Sequence, residues 1–139
     1  MVRALALLAA FLLIVLMAAA WPPASPPLVN VALTANGTRV VADSQYGDHV
    51  AGAHAADGRI GHGTACWFSS DWARLPCALT FEFVQPERLR RAVLYQAQWT
   101  GSMYHTRDFA LEVSDDGRSW TRVGMGSLPD DSLASTALD

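Results

Sequence analysis

Beyond residue 28 the chain sustains no helical period longer than two turns, and several short runs alternate their side chains instead. Cys77, Leu79, Phe81 and Phe83 share one side, while Ala78, Thr80 and Glu82 take the other. Val93, Tyr95, Ala97 and Trp99 oppose Ala92, Leu94, Gln96 and Gln98, and Phe109, Leu111 and Val113 oppose Ala110, Glu112 and Ser114. Period two rich in aromatic and branched residues is the pattern of half-buried strands, because successive side chains of an extended chain leave opposite faces. Weaker candidates are residues 30–34, 39–42, 66–69 and 119–123. Short strands parted by turn signals predict an all-β domain, a sandwich or a barrel.

The turns have explicit chemistry. Ser114-Asp115-Asp116-Gly117 lies between two of these runs, and Asp-Gly supplies the positive φ that a tight connection needs. Pro86-Glu87 interrupts the chain between Phe83 and Leu89. The small-residue stretch between Val50 and Ala56 is compatible with one or two helical turns that Asp57-Gly58 would end.

Ahead of the domain the chain has another character. From Ala4 to Trp21 no side chain is polar or charged; Arg3 precedes this run and Ala18-Ala19-Ala20 closes it. A positive start, an apolar stretch and an Ala-x-Ala site make residues 1–20 a secretory signal. The run also reaches the lower end of the ~17–25 residues that span a bilayer, so an uncleaved signal anchor is the alternative. Both readings place the remainder outside the cytoplasm, secreted or held at a membrane by residues 4–21. Residues 21–29 hold four prolines between Trp21 and Pro27 and read as a stiff linker, and residues 30–139 form the domain.

Charge narrows the partners. The formal net charge is −3, all ten basic residues are arginine, and only Arg88, Arg90 and Arg91 cluster. Nucleic acid is a poor partner for such a chain, because neutralising phosphates takes grouped cations, and electrostatic adsorption to anionic lipid is disfavoured likewise. Cys66 and Cys77 make an even count in an exported segment, which favours a disulfide over two buried thiols.

The order of motifs then becomes informative. The chain reads NVALT, ADSQYG, HAADG, CWFSSDW, ALTFEF, LRRAVLYQAQW and RDFALEVSDDGRSWTRV. Taken together over residues 30–123, this succession resembles the discoidin, or coagulation factor V/VIII C-type, family of galactose-binding-like domains. The family includes family 32 carbohydrate-binding modules, cell-surface lectins and lipid-binding coagulation domains. The resemblance implies a jelly-roll β-sandwich whose loops at one end bind a ligand. Family members continue past the Trp-x-x-Val strand with two or three more strands. Here GMGSLPDDSLASTALD is Gly-rich, polar and without alternation, so the domain is expected to be partial, missing its last strands.

The same resemblance implies site residues. A structural calcium ion would be held by Asp57, the carbonyls of His54 and Arg59, and the hydroxyl of Thr64, an all-oxygen set of the kind calcium takes. The loop between Asp57 and Thr64 is about two residues longer than the family's, and the expected C-terminal acidic ligand would go with the missing strands. For glycan binding, an aromatic face serves the C–H side of a sugar and polar groups serve its hydroxyls. Tyr46, Trp72, Tyr104, His105 and Arg107 are the candidates. Packing over the cysteines is the alternative role for Trp72, and an ion pair with Asp108 for Arg107. Trp67 and Trp120 are read as structural.

No catalytic motif is present: there is no nucleophile elbow, no His-Glu-x-x-His and no phosphate loop, and the four histidines lack metal-ligand spacing. The expectation is a secreted, non-catalytic carbohydrate-binding module. Alternatives are an adhesion or membrane-binding module of the same family, and a membrane-anchored structural envelope protein.

Overall fold

The computed structural model describes residues 26–60, 66–97, 105–131 and 134–139. Among these residues six strands pair two by two: β1 (Arg39–Ala42), β2 (Leu79–Glu82), β3 (Ala92–Tyr95), β4 (Asp108–Val113), β5 (Thr121–Ser127) and β6 (Ser135–Leu138). All three pairs, β1–β2, β3–β6 and β4–β5, are antiparallel. The helical content among the described residues is short 3-10 turns, at Thr34–Asn36, Asp48–Val50 and Gly52–Ala56. The class is all-β, as the alternation predicts.

The β4 strand orients the face its alternation implies, whereas β3 leaves its branched and aromatic side outside. In β4, Phe109, Leu111 and Val113 are the half-buried side, and Ala110 and Glu112 the exposed one. In β3, Ala92 and Leu94 face inward and Gln96, just past the strand, is buried, which leaves Val93 and Tyr95 outside. Between β4 and β5 the Ser114–Gly117 turn closes on side chains. The Asp116 carboxylate accepts the Arg118 and Ser119 N–H groups at 2.8 Å each, the Ser114 hydroxyl accepts from Gly117, and Gly117 adopts φ 68°. Farther down this pair, Glu112 faces Arg122 while Leu111 faces Gly124, so Val123 is an extra residue, a β-bulge, and stands outside.

Three local expectations are corrected. Residues 30–34 form no strand: the Asn30 Oδ1 atom accepts the Ala32 N–H at 3.1 Å, and this side-chain turn leads into the 3-10 helix. Residues 66–69 are not a strand either, although Phe68 exchanges single hydrogen bonds with Tyr46 and Val50. The third correction concerns the tail. β5 continues through Gly124, Met125 and Gly126, and β6 follows and pairs with β3 in the register Ala92–Leu138 to Tyr95–Ser135. The alternation expected to be missing past Val123 is present, with glycine at the inward positions. A Cβ on Gly126 would sit 2.9 Å from the Phe109 ring, and one on Gly124 would sit 2.9 Å from Leu138 Cδ1. Phe109 and Leu138 fill the space that the two glycines leave, and Leu138 thereby packs the β3–β6 pair onto β4–β5.

The interior is thin. Among the described residues Val50, Ala56, Cys66 and Leu128 are the buried apolar side chains, and no large one is completely buried. The Gly52–Ala56 turn lies against the first sheet, where a Cβ on Gly52 would meet Ala42 Cβ at 3.0 Å and Leu79 Cδ2 at 3.1 Å. No helix of the described residues is long and apolar enough to cross a membrane, and residues 4–21 lie outside them.

Candidate functional site

Two loops leave the β1–β2 sheet on the same side and are stitched together. Leaving β1, Asp43 donates its N–H to the Ala78 carbonyl at 3.1 Å. The Ser44 hydroxyl donates to the Ser70 hydroxyl at 3.0 Å and accepts the Ser70 N–H at 3.0 Å. Trp67 Nε1 donates to the Ser44 carbonyl at 2.8 Å, and the Tyr46 N–H donates to the Phe68 carbonyl at 2.9 Å. A half-buried indole thus ties the loops from below, in keeping with the structural role expected of Trp67.

Each of these loops carries an aromatic side chain that meets solvent. Tyr46 is 57% exposed and stands edge-on to His49, the ring centroids 6.1 Å apart. Trp72 occupies a turn closed by the Ala73 N–H to Ser70 carbonyl bond and is 93% exposed. It therefore does not pack over the cysteines. Leu75, which the sequence reading passed over, is 83% exposed on the same loop.

The other predicted ligand residues belong to a second locus, and Tyr104 lies outside the described residues. The His105 side chain is only 8% exposed, with Nδ1 at 2.7 Å from Asp130 Oδ1. Arg107 donates from Nε to Asp108 Oδ2 at 2.8 Å, the ion pair weighed as its alternative role. That Arg107 bond, helped by the Ser127 hydroxyl, holds the Asp108 carboxyl below the usual range. Gln96 organises this locus. Its Oε1 accepts the Thr106 N–H at 3.0 Å while its Nε2 donates to the Thr106 carbonyl at 2.9 Å. Leu128 donates its N–H to the Arg107 carbonyl at 2.7 Å. Sequence reasoning missed Gln96, because the opposite face of its run carries Val93 and Tyr95 and only the fold shows which side is inward.

At the candidate calcium position, Asp57 ends the Gly52–Ala56 turn. Its Oδ1 accepts the Arg59 N–H at 2.8 Å, and its Oδ2 is 3.7 Å from His54 Nδ1, beyond hydrogen-bonding distance. One carboxylate oxygen is thus engaged by the local backbone and the other faces the His54 ring. Thr64 lies outside the described residues, and among those described no three His, Cys, Asp or Glu side chains converge. Cys66 and Cys77 are not joined to each other. Cys66 is buried, which pushes its thiol pKa up, whereas Cys77 is half-exposed with Sγ 3.8 Å from the Arg74 carbonyl oxygen. An even cysteine count speaks to compartment and carries no information on whether two loops bring the sulfurs into bonding geometry.

No family model, no curated protein and no solved structure matches the chain.

Proposed function

We propose that the chain is an extracytoplasmic, non-catalytic binding module of the discoidin kind, a jelly-roll sandwich that recognises neutral glycans through its loops. The observation that carries the reading is the pair of exposed aromatics, Tyr46 and Trp72, on loops joined through Ser44 and Ser70. A rigid base under projecting aromatic faces is what stacking against a sugar ring requires. His105 and Arg107 would offer hydrogen bonds to a ligand only by exchanging their partners Asp130 and Asp108, and Tyr104 remains a candidate aromatic on its residue type. A calcium ion held by Asp57, the His54 and Arg59 carbonyls and Thr64 would stiffen the loop, supplying positive charge for oxygen ligands and no chemistry.

The test is a glycan array probed with the full chain and with Trp72→Ala. Binding that vanishes in the variant, with the circular dichroism spectrum unchanged, supports the reading. A folded wild-type protein that retains no glycan overturns it. One observation favours a second reading: Trp72 and Leu75 are both exposed apolar side chains on one loop, the residue type a membrane interface takes up. Co-sedimentation with neutral liposomes separates the two, since the glycan module stays in solution.

A further inference from the structure

The N-terminal turn contains an Asn-Gly pair whose reactivity the fold controls. Asn36 is exposed at the end of the Thr34–Asn36 turn, and Gly37 follows with φ 88°. In such a pair the backbone nitrogen of the glycine, unshielded by a side chain, attacks the asparagine Cγ. A Cγ–N bond forms, the Cγ–Nδ2 bond breaks and ammonia leaves with the displaced proton. Water then opens the cyclic imide at either carbonyl, which yields aspartate or isoaspartate.

The attacking and the leaving nitrogen are both hydrogen-bonded in the folded chain. The Gly37 N–H, the nucleophile, donates to the Thr34 carbonyl at 3.0 Å, and the Asn36 N–H donates to the Leu33 carbonyl at 2.9 Å. The leaving amide donates through Nδ2 to the Asn30 carbonyl at 2.8 Å. Flanking contacts hold the turn shut. Thr38, 5% exposed, donates its hydroxyl to the Val31 carbonyl at 2.6 Å, and the Thr34 hydroxyl donates to the Ala56 carbonyl at 3.3 Å. Val84 Cγ2 lies only 2.7 Å from where a Cβ on Gly37 would be.

We propose that Asn36 is a guarded deamidation site, inert while the turn is closed and converted when the turn opens locally. The conversion reinforces itself. The product lacks the Nδ2 donor to Asn30, and isoaspartate inserts a methylene into the backbone of a 3-10 turn that has no room for it. The modified turn therefore recloses poorly, and the lesion accumulates as a covalent record of opening.

Peptide mapping by mass spectrometry, with ammonia release as a second readout, tests this on the full chain near neutral pH. The native protein should convert at Asn36 at least about tenfold more slowly than the same chain in concentrated urea, the factor that local hydrogen-bond protection supplies. Thr38→Val removes one fastening without touching the Asn-Gly pair and should raise the native rate about fivefold to thirtyfold. Thr38→Ser keeps the hydroxyl and should stay near the wild-type rate. Equal rates in native and unfolded chains overturn the proposal, as does an unchanged rate in a folded Thr38→Val protein. Should that variant not fold, a wild-type urea series decides. A rate that climbs before the global transition supports local opening, and one that only tracks the unfolded fraction refutes it.

Discussion

Replacing Gln96 with leucine should cost about 2 kcal/mol, because that one side chain replaces a strand partner for Thr106. Gln96 is 4% exposed, and its amide satisfies both the N–H and the carbonyl of Thr106, with a longer contact of 3.5 Å to the Pro129 carbonyl. Leucine keeps the volume and deletes every polar contact. Each hydrogen bond is worth about 1 kcal/mol net, and a buried group left unpaired costs about 1–3 kcal/mol. Thr106 itself is exposed, so water takes over part of the bonding and the loss stays near the lower value. At roughly 4 °C per kcal/mol for a domain of this size, Tm should fall by about 8 °C. Urea denaturation at constant m value measures the change. Amide exchange should quicken at Thr106 and Leu128 while the β1–β2 amides keep their protection. Gln96→Glu sharpens the comparison: it retains an acceptor for the Thr106 N–H but turns a carboxylate toward two carbonyl oxygens. It should therefore be at least as damaging near neutral pH. Both variants falling within about 0.5 kcal/mol of wild type would refute the assignment.

Three further outcomes follow from individual contacts. Gly126→Val puts a branched side chain where a Cβ would lie 2.9 Å from the Phe109 ring, so chemical denaturation should show a loss of about 1–3 kcal/mol. The Asp116 carboxyl is held down to about 2 by the Ser119 and Arg118 N–H groups and the Ser114 hydroxyl. A depressed folded value means its contribution is complete above the unfolded value near 3.8 and is lost as pH falls toward 2. Amide exchange at Arg118 and Ser119 should accelerate across that window, and Asp116→Asn should flatten the dependence. Under native, non-reducing conditions a maleimide should modify Cys77 well before Cys66, since burial suppresses the Cys66 thiolate. Failure of both to react until a reductant is added would show that the two sulfurs are bonded in solution.

The strands were legible where side chains of opposite character alternate. Leu79–Glu82, Ala92–Tyr95 and Asp108–Val113 all fall on runs picked out by period two, Arg39–Ala42 on one of the weaker candidates, and the Ser114–Gly117 turn on its Asp-Gly pair. The strand Ser135–Leu138 and the extension of β5 were not legible. Glycine reads as a turn signal, and only the Phe109 ring and Leu138 above it reveal Gly124 and Gly126 as inward strand positions. At the candidate site, Tyr46 and Trp72 were visible as aromatics in polar loops. Leu75 was missed because a lone leucine carries no sign of which way it faces.

The sequence by itself therefore determined the all-β class, the places of the turns and the residue types available for binding, because these depend on short-range sterics and on local polarity. Tertiary structure alone decided which strand pairs with which and which polar side chains are consumed. It joined β3 to a strand some forty positions later, an interval roughly as long as several hairpins, which no local period encodes. It also committed His105 to Asp130 and Arg107 to Asp108, while Trp72 was left facing solvent. A side chain's chemistry is written in its identity, but whether that chemistry is spent on the fold or offered to a ligand depends on neighbours that only folding supplies.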